Sequence, residues 1–301
     1  MLNQEQLDLR AALSTPDKPM IGGSEAPVVI GNSVFMTPLE LFYIKRNILE
    51  GKGERPIQEE RRLRMGNLKE DLLIQMFSDE TGKKVRRAIK PVFSDKYPWA
   101  FAHLDGRVVG EKANIECKTQ NRKDGWGEEW TDQVPEHIIV QCLHQMALTS
   151  AKLTYIPVEF PFHDFKVYQV NEDNELLGML MDLEQDFIER VKANEPPDPS
   201  YEHSTTKDLM KKLYAGTNGQ RIVLPEEIVH WHQVAQEAKE QESNYRKTKE
   251  MAENHIKSIM QDNAIALLPE GGGYERKLVT RKGYVVEETQ YIDFRFKKKL
   301  E

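Results

Sequence analysis

Leu104-Asp105-Gly106, followed by Asn114-Ile115-Glu116-Cys117-Lys118, constrains this chain more than any other segment. Residues 113–119 have the character of a strand, and side chains along a strand alternate between its faces. Asn114, Glu116 and Lys118 then share one face, and Ile115 and Cys117 the other. Asp105 ends the preceding strand, Gly106 opens a turn, and the resulting hairpin brings Asp105 and Glu116 to one point. Converging carboxylates repel. Their natural partner is a hard divalent cation such as Mg²⁺, which takes a few carboxylate oxygens and keeps waters. Lys118 beside them can orient or deprotonate a water and stabilise developing negative charge. The set suits metal-assisted hydrolysis of a phosphodiester. Taken alone, the same residues also fit an ordinary Asp-Gly hairpin turn with a charged outer strand face.

Composition narrows the class. With 301 residues, 39% of them hydrophobic, the chain can build a sizeable core in one large domain or two. No apolar run approaches the ~20 residues that span a bilayer. The polar stretch 1–10 lacks the features of a signal peptide. Cys117 and Cys142 fit a reducing compartment and are too few for a structural zinc site or an iron–sulfur cluster. A net charge of -7 argues against a protein that coats nucleic acid indiscriminately, but leaves room for a local basic surface. Two clusters could line a phosphate path or simply be solvated faces: Arg61, Arg62 and Arg64, and Lys83, Lys84, Arg86, Arg87 and Lys90.

Residues 1–20 read as a helix and a loop, and Gly31 closes a short apolar stretch after Ile21-Gly22-Gly23-Ser24-Glu25. Thr37-Pro38-Leu39-Glu40 is a helix start with Thr37 as N-cap and Glu40 closing a capping box. A second helix is expected over 57–81, with Glu70 on the stripe of Leu73, Ile74 and Phe77. Strands follow near 85–93, 100–104 and 113–119, then a loop with Trp126 and Trp130, and a helix opened by Pro135 that carries Gln141 and Gln145 one turn apart. Strands are expected at 152–160 and 165–170, and Pro157 makes the first of them an edge strand. A helix over 171–193, capped by Asn171 or Asp173, leads to a linker at Pro196, Pro197 and Pro199. Beyond it, 226–263 reads as one long helix whose Ile228, Trp231, Ala235, Ala238, Tyr245, Ala252, Ile256 and Ile259 follow a heptad seam, interrupted by Glu242 and Lys249. Short strands around Gly271-Gly272-Gly273 end the chain over 267–296, and the triple glycine is a turn rather than a phosphate loop.

In order and spacing these parts resemble the YqaJ-like viral recombinase family, relatives of phage lambda exonuclease in the PD-(D/E)XK nuclease superfamily. The resemblance covers roughly 15–200. It rests on Ile21-Gly22-Gly23-Ser24-Glu25 with Gly31, on Thr37-Pro38-Leu39-Glu40-Leu41, and on Met65-Gly66 with Glu70. Leu104-Asp105-Gly106 with Glu116-Cys117-Lys118, and Gln141 with Gln145, complete it. It implies an α/β fold with a PD-(D/E)XK restriction-endonuclease-like core, a mixed sheet of about five strands flanked by helices. The nuclease domain would span 1–200, and a helical arm with a small β-rich tail 201–301, for assembly or partner binding. Asp105 and Glu116 would be metal ligands together with the Cys117 backbone carbonyl. Glu70 would complete the carboxylate set or reach a second ion, Lys118 would position or activate the attacking water, and Gln141 and Gln145 would bracket the water or a phosphate. Ser24 would lie near a 5′-phosphate; the family's preceding arginine is missing, and Lys18 is the nearest cation. Arg86, Arg87 and Trp126 complete the expected DNA contacts.

The function implied is a 5′-to-3′ exonuclease on double-stranded DNA, using two Mg²⁺ ions that Mn²⁺ can replace. It would leave 3′ overhangs for a single-strand annealing protein. Relatives of this kind form rings, such as trimers, around DNA. The setting would be the cytoplasm of a bacterial host, with the gene of phage or prophage origin. Two other classes remain open at this stage: a structure-specific or defence-related endonuclease on the same core, and a non-catalytic DNA-binding or interaction module.

Overall fold

The structure, a computed structural model, describes residues 18–52, 60–217 and 219–280, with the backbone alone for 60–67. The helix expected near the N-terminus, the start of the second helix, the last part of the tail and the side chains of Arg61, Arg62 and Arg64 lie outside the described residues.

A first unit runs to Leu213. It opens with a two-residue strand β1 (Ile21–Gly22), a single helical turn α1 (Ala26–Val29) and helix α2 (Pro38–Leu49). Thr37 caps α2 as expected: its Oγ1 accepts the Glu40 N–H at 3.1 Å. The reciprocal half of the capping box is not made, since Glu40 Oε2 has no partner among the described residues. Helix α3 (Glu60–Thr81) lays Leu73, Ile74 and Phe77 into the core, a stripe at helical spacing.

The main sheet is mixed. Strands β2 (Val85–Arg87), β5 (Gly106–Val108) and β6 (Ala113–Ile115) pair antiparallel in that order. Strand β8 (Leu153–Phe160) runs parallel to β6, and also to β7 (Lys118–Thr119), which continues the line of β6. Strand β9 (Asp164–Asn171) closes the other side of β8 as an antiparallel partner. A smaller sheet joins β3 (Val92–Phe93), β4 (Ala100–Ala102) and β1 around the central β4. Helix α3 covers one face of the main sheet through Ile74, Phe77, Ile115, Tyr155 and Val167. Helix α4 (Glu136–Thr149) covers the other with Ile138, Cys142 and Met146, one per turn and all buried. Helix α5 (Asn174–Ala193), capped by Asp173, backs α4. The unit continues past Pro199 into α6 (Thr206–Leu213), whose Leu209 is buried.

Three local expectations are corrected. Gly106 does not open a turn. It begins β5, and a Cβ there would stand 2.7 Å from Val85 Cγ1, so close strand packing explains the glycine. The stretch 85–93 is two strands in two different sheets rather than one. Strand β8 is central, not an edge, despite Pro157. The proline is tolerated because it faces the gap between β6 and β7. In a parallel ladder the residue whose N–H reaches Tyr155 O would accept from residue 157, and that residue, Glu116, meets a proline without an N–H.

The second unit starts at Tyr214. It holds helix α7 (Ile228–Met260) and a hairpin of β10 (Ile265–Leu267) with β11 (Gly273–Glu275). Gly271 and Gly272 take positive φ in the turn between the two strands, where a side chain would be strained.

Candidate active site

The break in the 113–119 strand builds the site. Gly106 pairs with Ile115, so Asp105 and Glu116 leave neighbouring strands side by side. Glu116 N–H still donates to Tyr155 O at 3.0 Å. The next amide turns away from the ladder: Cys117 N–H donates to Asp105 Oδ2 at 2.8 Å. Both carboxylates are buried, Asp105 7% and Glu116 5% exposed.

The alternation of faces holds across the break. Asn114, Glu116 and Lys118 all turn to α4. Asn114 Nδ2 donates to Thr149 Oγ1 at 2.9 Å, and Lys118 Nζ donates to Glu116 Oε1 at 2.8 Å. Gln141 and Gln145, one turn apart on α4, meet the same carboxylate. Gln141 Nε2 donates to Oε1 and Gln145 Nε2 to Oε2, both at 2.7 Å. Gln141 Oε1 also accepts from Lys118 Nζ at 2.8 Å, closing a triangle. On the opposite face Cys117 Sγ lies 3.8 Å from the Glu70 carbonyl of α3. Arg87, expected on a phosphate path, sits half-buried among acids. It donates to Glu70 Oε2 at 2.7 Å and to the Asp105 carbonyl at 3.0 Å, and it pairs with Asp71 at 3.2 Å.

Charge follows this geometry. Burial pushes the Cys117 thiol well above its usual range, and the carboxylates of Asp105, Glu116 and Glu70 push it further the same way. Burial alone would lower the Lys118 ammonium, but the Glu116 carboxylate, its hydrogen bond and Asp105 outweigh that and raise it. Lys118 is therefore a fixed cation at neutral pH.

Among the described residues no three His, Cys, Asp or Glu side chains converge closely enough to cage a metal ion. The chemistry of the donors nonetheless fits one. Asp105 holds the Cys117 amide, Glu116 precedes it and the Glu70 carbonyl lies 3.8 Å from its thiol, so three acidic residues adjoin Cys117, while Lys118 and Arg87 offset part of their charge. Oxygen donors of this kind suit a hard divalent cation.

The remaining residues separate. Ser24 lies exposed at the mouth of a pocket that Lys118 and Gln141 also line. Its loop rests on α4 at Gly23, where a Cβ would lie 3.5 Å from Gln145 and 3.7 Å from Gln141. Ser24 caps no helix; the residue before α1 is Glu25, which makes no side-chain cap. Lys18 is exposed and does not line the pocket. Arg86 is exposed on β2. Trp126 packs into the main core against Phe160 and Tyr168, with ring centroids at 5.6 and 4.8 Å. His137 also lines the pocket beside Lys118. Burial and the Lys118 charge lower its pKa. The signal was its place four residues before Gln141 on one helix face.

A family model described as the YqaJ-like viral recombinase domain matches residues 9–152. The chain is 32% identical over 251 residues to the uncharacterized protein YqaJ of Bacillus subtilis (strain 168), covering 80% of this chain and 75% of that one. A solved structure of LHK-Exo in complex with dAMP is similar with a TM-score of 0.50 at 16% identity, covering 71% of this chain and 98% of that one. That likeness shows a shared fold. The alkaline exonuclease LHK-Exo from Laribacter hongkongensis gives 0.44 at 17% identity, covering 69% and 98%.

Proposed function

Since this chain belongs to the YqaJ-like viral recombinase family, we propose that it is a divalent-metal-dependent exonuclease acting on double-stranded DNA ends. One observation carries the reading: a buried Glu116 is held by Lys118, Gln141 and Gln145 beside a buried Asp105. Asp105, Glu116 and the Cys117 carbonyl would hold the cation, and Glu70 would complete the set or serve a second ion. Bound there, Mg²⁺ or Mn²⁺ supplies Lewis acidity and a water of lowered pKa. Lys118 presents a fixed positive charge toward the phosphate, aimed by its bonds to Glu116 and Gln141. Ser24 and His137 line the same pocket and can receive a phosphate oxygen. In the finer reading, strands are degraded from the 5′ end. The 3′ overhang passes to an annealing protein in a bacterial cytoplasm, with residues 201–301 serving assembly into a ring or that partner.

The test is linear duplex labelled separately at its 5′ and 3′ ends, beside a closed circle, digested in Mg²⁺ by the wild type and by Lys118→Ala. Early release of 5′ label, an intact circle and an inactive variant are expected. Cutting of the circle would replace the reading with an endonuclease. An inactive wild type in both Mg²⁺ and Mn²⁺ would leave a DNA-binding module.

A further inference from the structure

The pocket beside Lys118 has a volume of about 210 Å³ and two kinds of wall. Ser24, Lys118, His137 and Gln141 make one side polar, while Val34 and Phe35 form an apolar lip. Phe35 is 71% and Val34 69% exposed. Their loop is tied down on both flanks. Asn32 Nδ2 donates to Glu136 Oε2 at 2.8 Å, and the Ser33 carbonyl accepts from His203 Nε2 at 2.8 Å. Phe35 N–H donates to Ser33 Oγ at 3.2 Å, and Thr37 is the buried cap of α2. The loop is thus held in place while its two large apolar side chains stay in water at the edge of the catalytic pocket.

Hydrogen-bonding and cationic groups within an apolar rim match the two ends of a nucleotide, phosphate and base. An aromatic face accepts any base by stacking, which suits an enzyme without sequence preference. Building on the nuclease reading above, we propose that Phe35, with Val34 beside it, stacks on the terminal nucleobase of the DNA end. This contact to the base, separate from those to phosphate, places the end against Lys118. Phe35 is a positioning residue for the DNA end.

The experiment measures equilibrium binding by the full-length protein of a DNA hairpin with one open end, in Ca²⁺, without cleavage. The terminal nucleotide carries its base or is abasic, in either strand. Phe35→Ala should weaken binding of the base-bearing end roughly 5- to 100-fold, the range expected for loss of one stacked base, and Phe35→Trp should restore it. The abasic end should weaken the wild type by a similar factor and Phe35→Ala no further. Equal binding by wild type and Phe35→Ala would overturn the proposal. So would an equal loss on both ends, or a loss traced by light scattering to a change in oligomeric mass. No binding of any end by the wild type would overturn it as well. Cleavage of linear duplex by the wild type is scored separately. Base-dependent binding without cleavage defeats the nuclease reading alone, and cleavage with binding indifferent to Phe35 defeats the stacking role alone.

Discussion

Glu116 is almost out of contact with water, yet both its oxygens are met by donors: Lys118 and Gln141 on one, Gln145 on the other. Burying a carboxylate is costly unless hydrogen bonds compensate it, and these three do so. Gln145→Leu keeps the volume but removes the Gln145 donor to Oε2. It should cost about 2 kcal/mol of stability, the value of a hydrogen bond to a charged group, and lower the single-turnover cleavage rate roughly 10- to 100-fold, as loss of a partner behind a metal ligand does. Thermal unfolding and rapid-quench cleavage read the two effects, and an unchanged rate would remove Gln145 from the machinery. Cys117 offers the contrasting case. Its amide holds Asp105, whereas its thiol is kept protonated by burial and three nearby acids. Cys117→Ala should therefore retain most of the cleavage rate, and the native protein should resist thiol reagents at pH 8 until unfolded. A loss comparable to that of Lys118→Ala would mean that the thiol takes part.

Between elements, register does what single residues cannot. Arg86 on β2 stands opposite Arg107 on β5, which in turn stands opposite Asn114 on β6. Paired residues share a face, so this row leads along the sheet to the face of Glu116 and Lys118. Both arginines are exposed. Like charges directly opposite destabilise a sheet, which a DNA phosphate between them would relieve. Arg86→Gln with Arg107→Gln should flatten the salt dependence of DNA binding by about two phosphate contacts; an unchanged slope would leave the pair as mere surface. Helices α4 and α5 are pinned by His144 Nδ1 and Glu184 Oε1 at 2.8 Å, both fully buried. Burial alone would lower the pKa of His144. The Glu184 carboxylate, its hydrogen bond and the Phe101 carbonyl overcome this and raise it above the ordinary 6.5. The folded state thus holds the proton more tightly than the unfolded one. The stabilisation is complete below about pH 6.5 and fades as pH rises through the higher folded value. Urea midpoints should fall from pH 6 to pH 9 more steeply for the wild type than for His144→Gln, and parallel profiles would remove the pin. The sequence made the faces legible, because alternation survives even where 113–119 breaks, and the stripe Leu73-Ile74-Phe77 and the Thr37 cap were readable for the same local reason. It hid what depends on neighbours. Gly106 answers to Val85 and Pro157 to a gap in the facing strand, while Arg87 answers to the acids of α3; none of these partners is near in sequence.

For the molecule as a whole, net charge bears on how the proposed exonuclease would hold its DNA. A protein of net charge -7 gains little from general ionic attraction to DNA, and at physiological salt that attraction reaches only about 8 Å. An enzyme that digests far along one duplex needs another hold, and a closed assembly supplies it by topology. In the reading proposed above, the 33-residue helix α7 would build one. Three large residues of its heptad seam are exposed, Trp231 61%, Tyr245 74% and Ile259 73%. Helices draw most of their stability from packing of an apolar face, and large apolar side chains exposed along one face, here on both sides of Glu242 and Lys249, mark an interaction surface. The full-length wild type should therefore be an oligomer by light scattering, and Trp231→Glu with Tyr245→Glu should lower its mass. If closure is what retains DNA, the same variant should cut the first nucleotides from each end at near the wild-type rate. With excess competitor DNA added after the start, however, it should leave much shorter digested tracts. An unchanged mass with unchanged tracts would assign the seam to a different protein partner. Lower mass with full-length tracts would show that the hold on DNA resides in the catalytic unit itself.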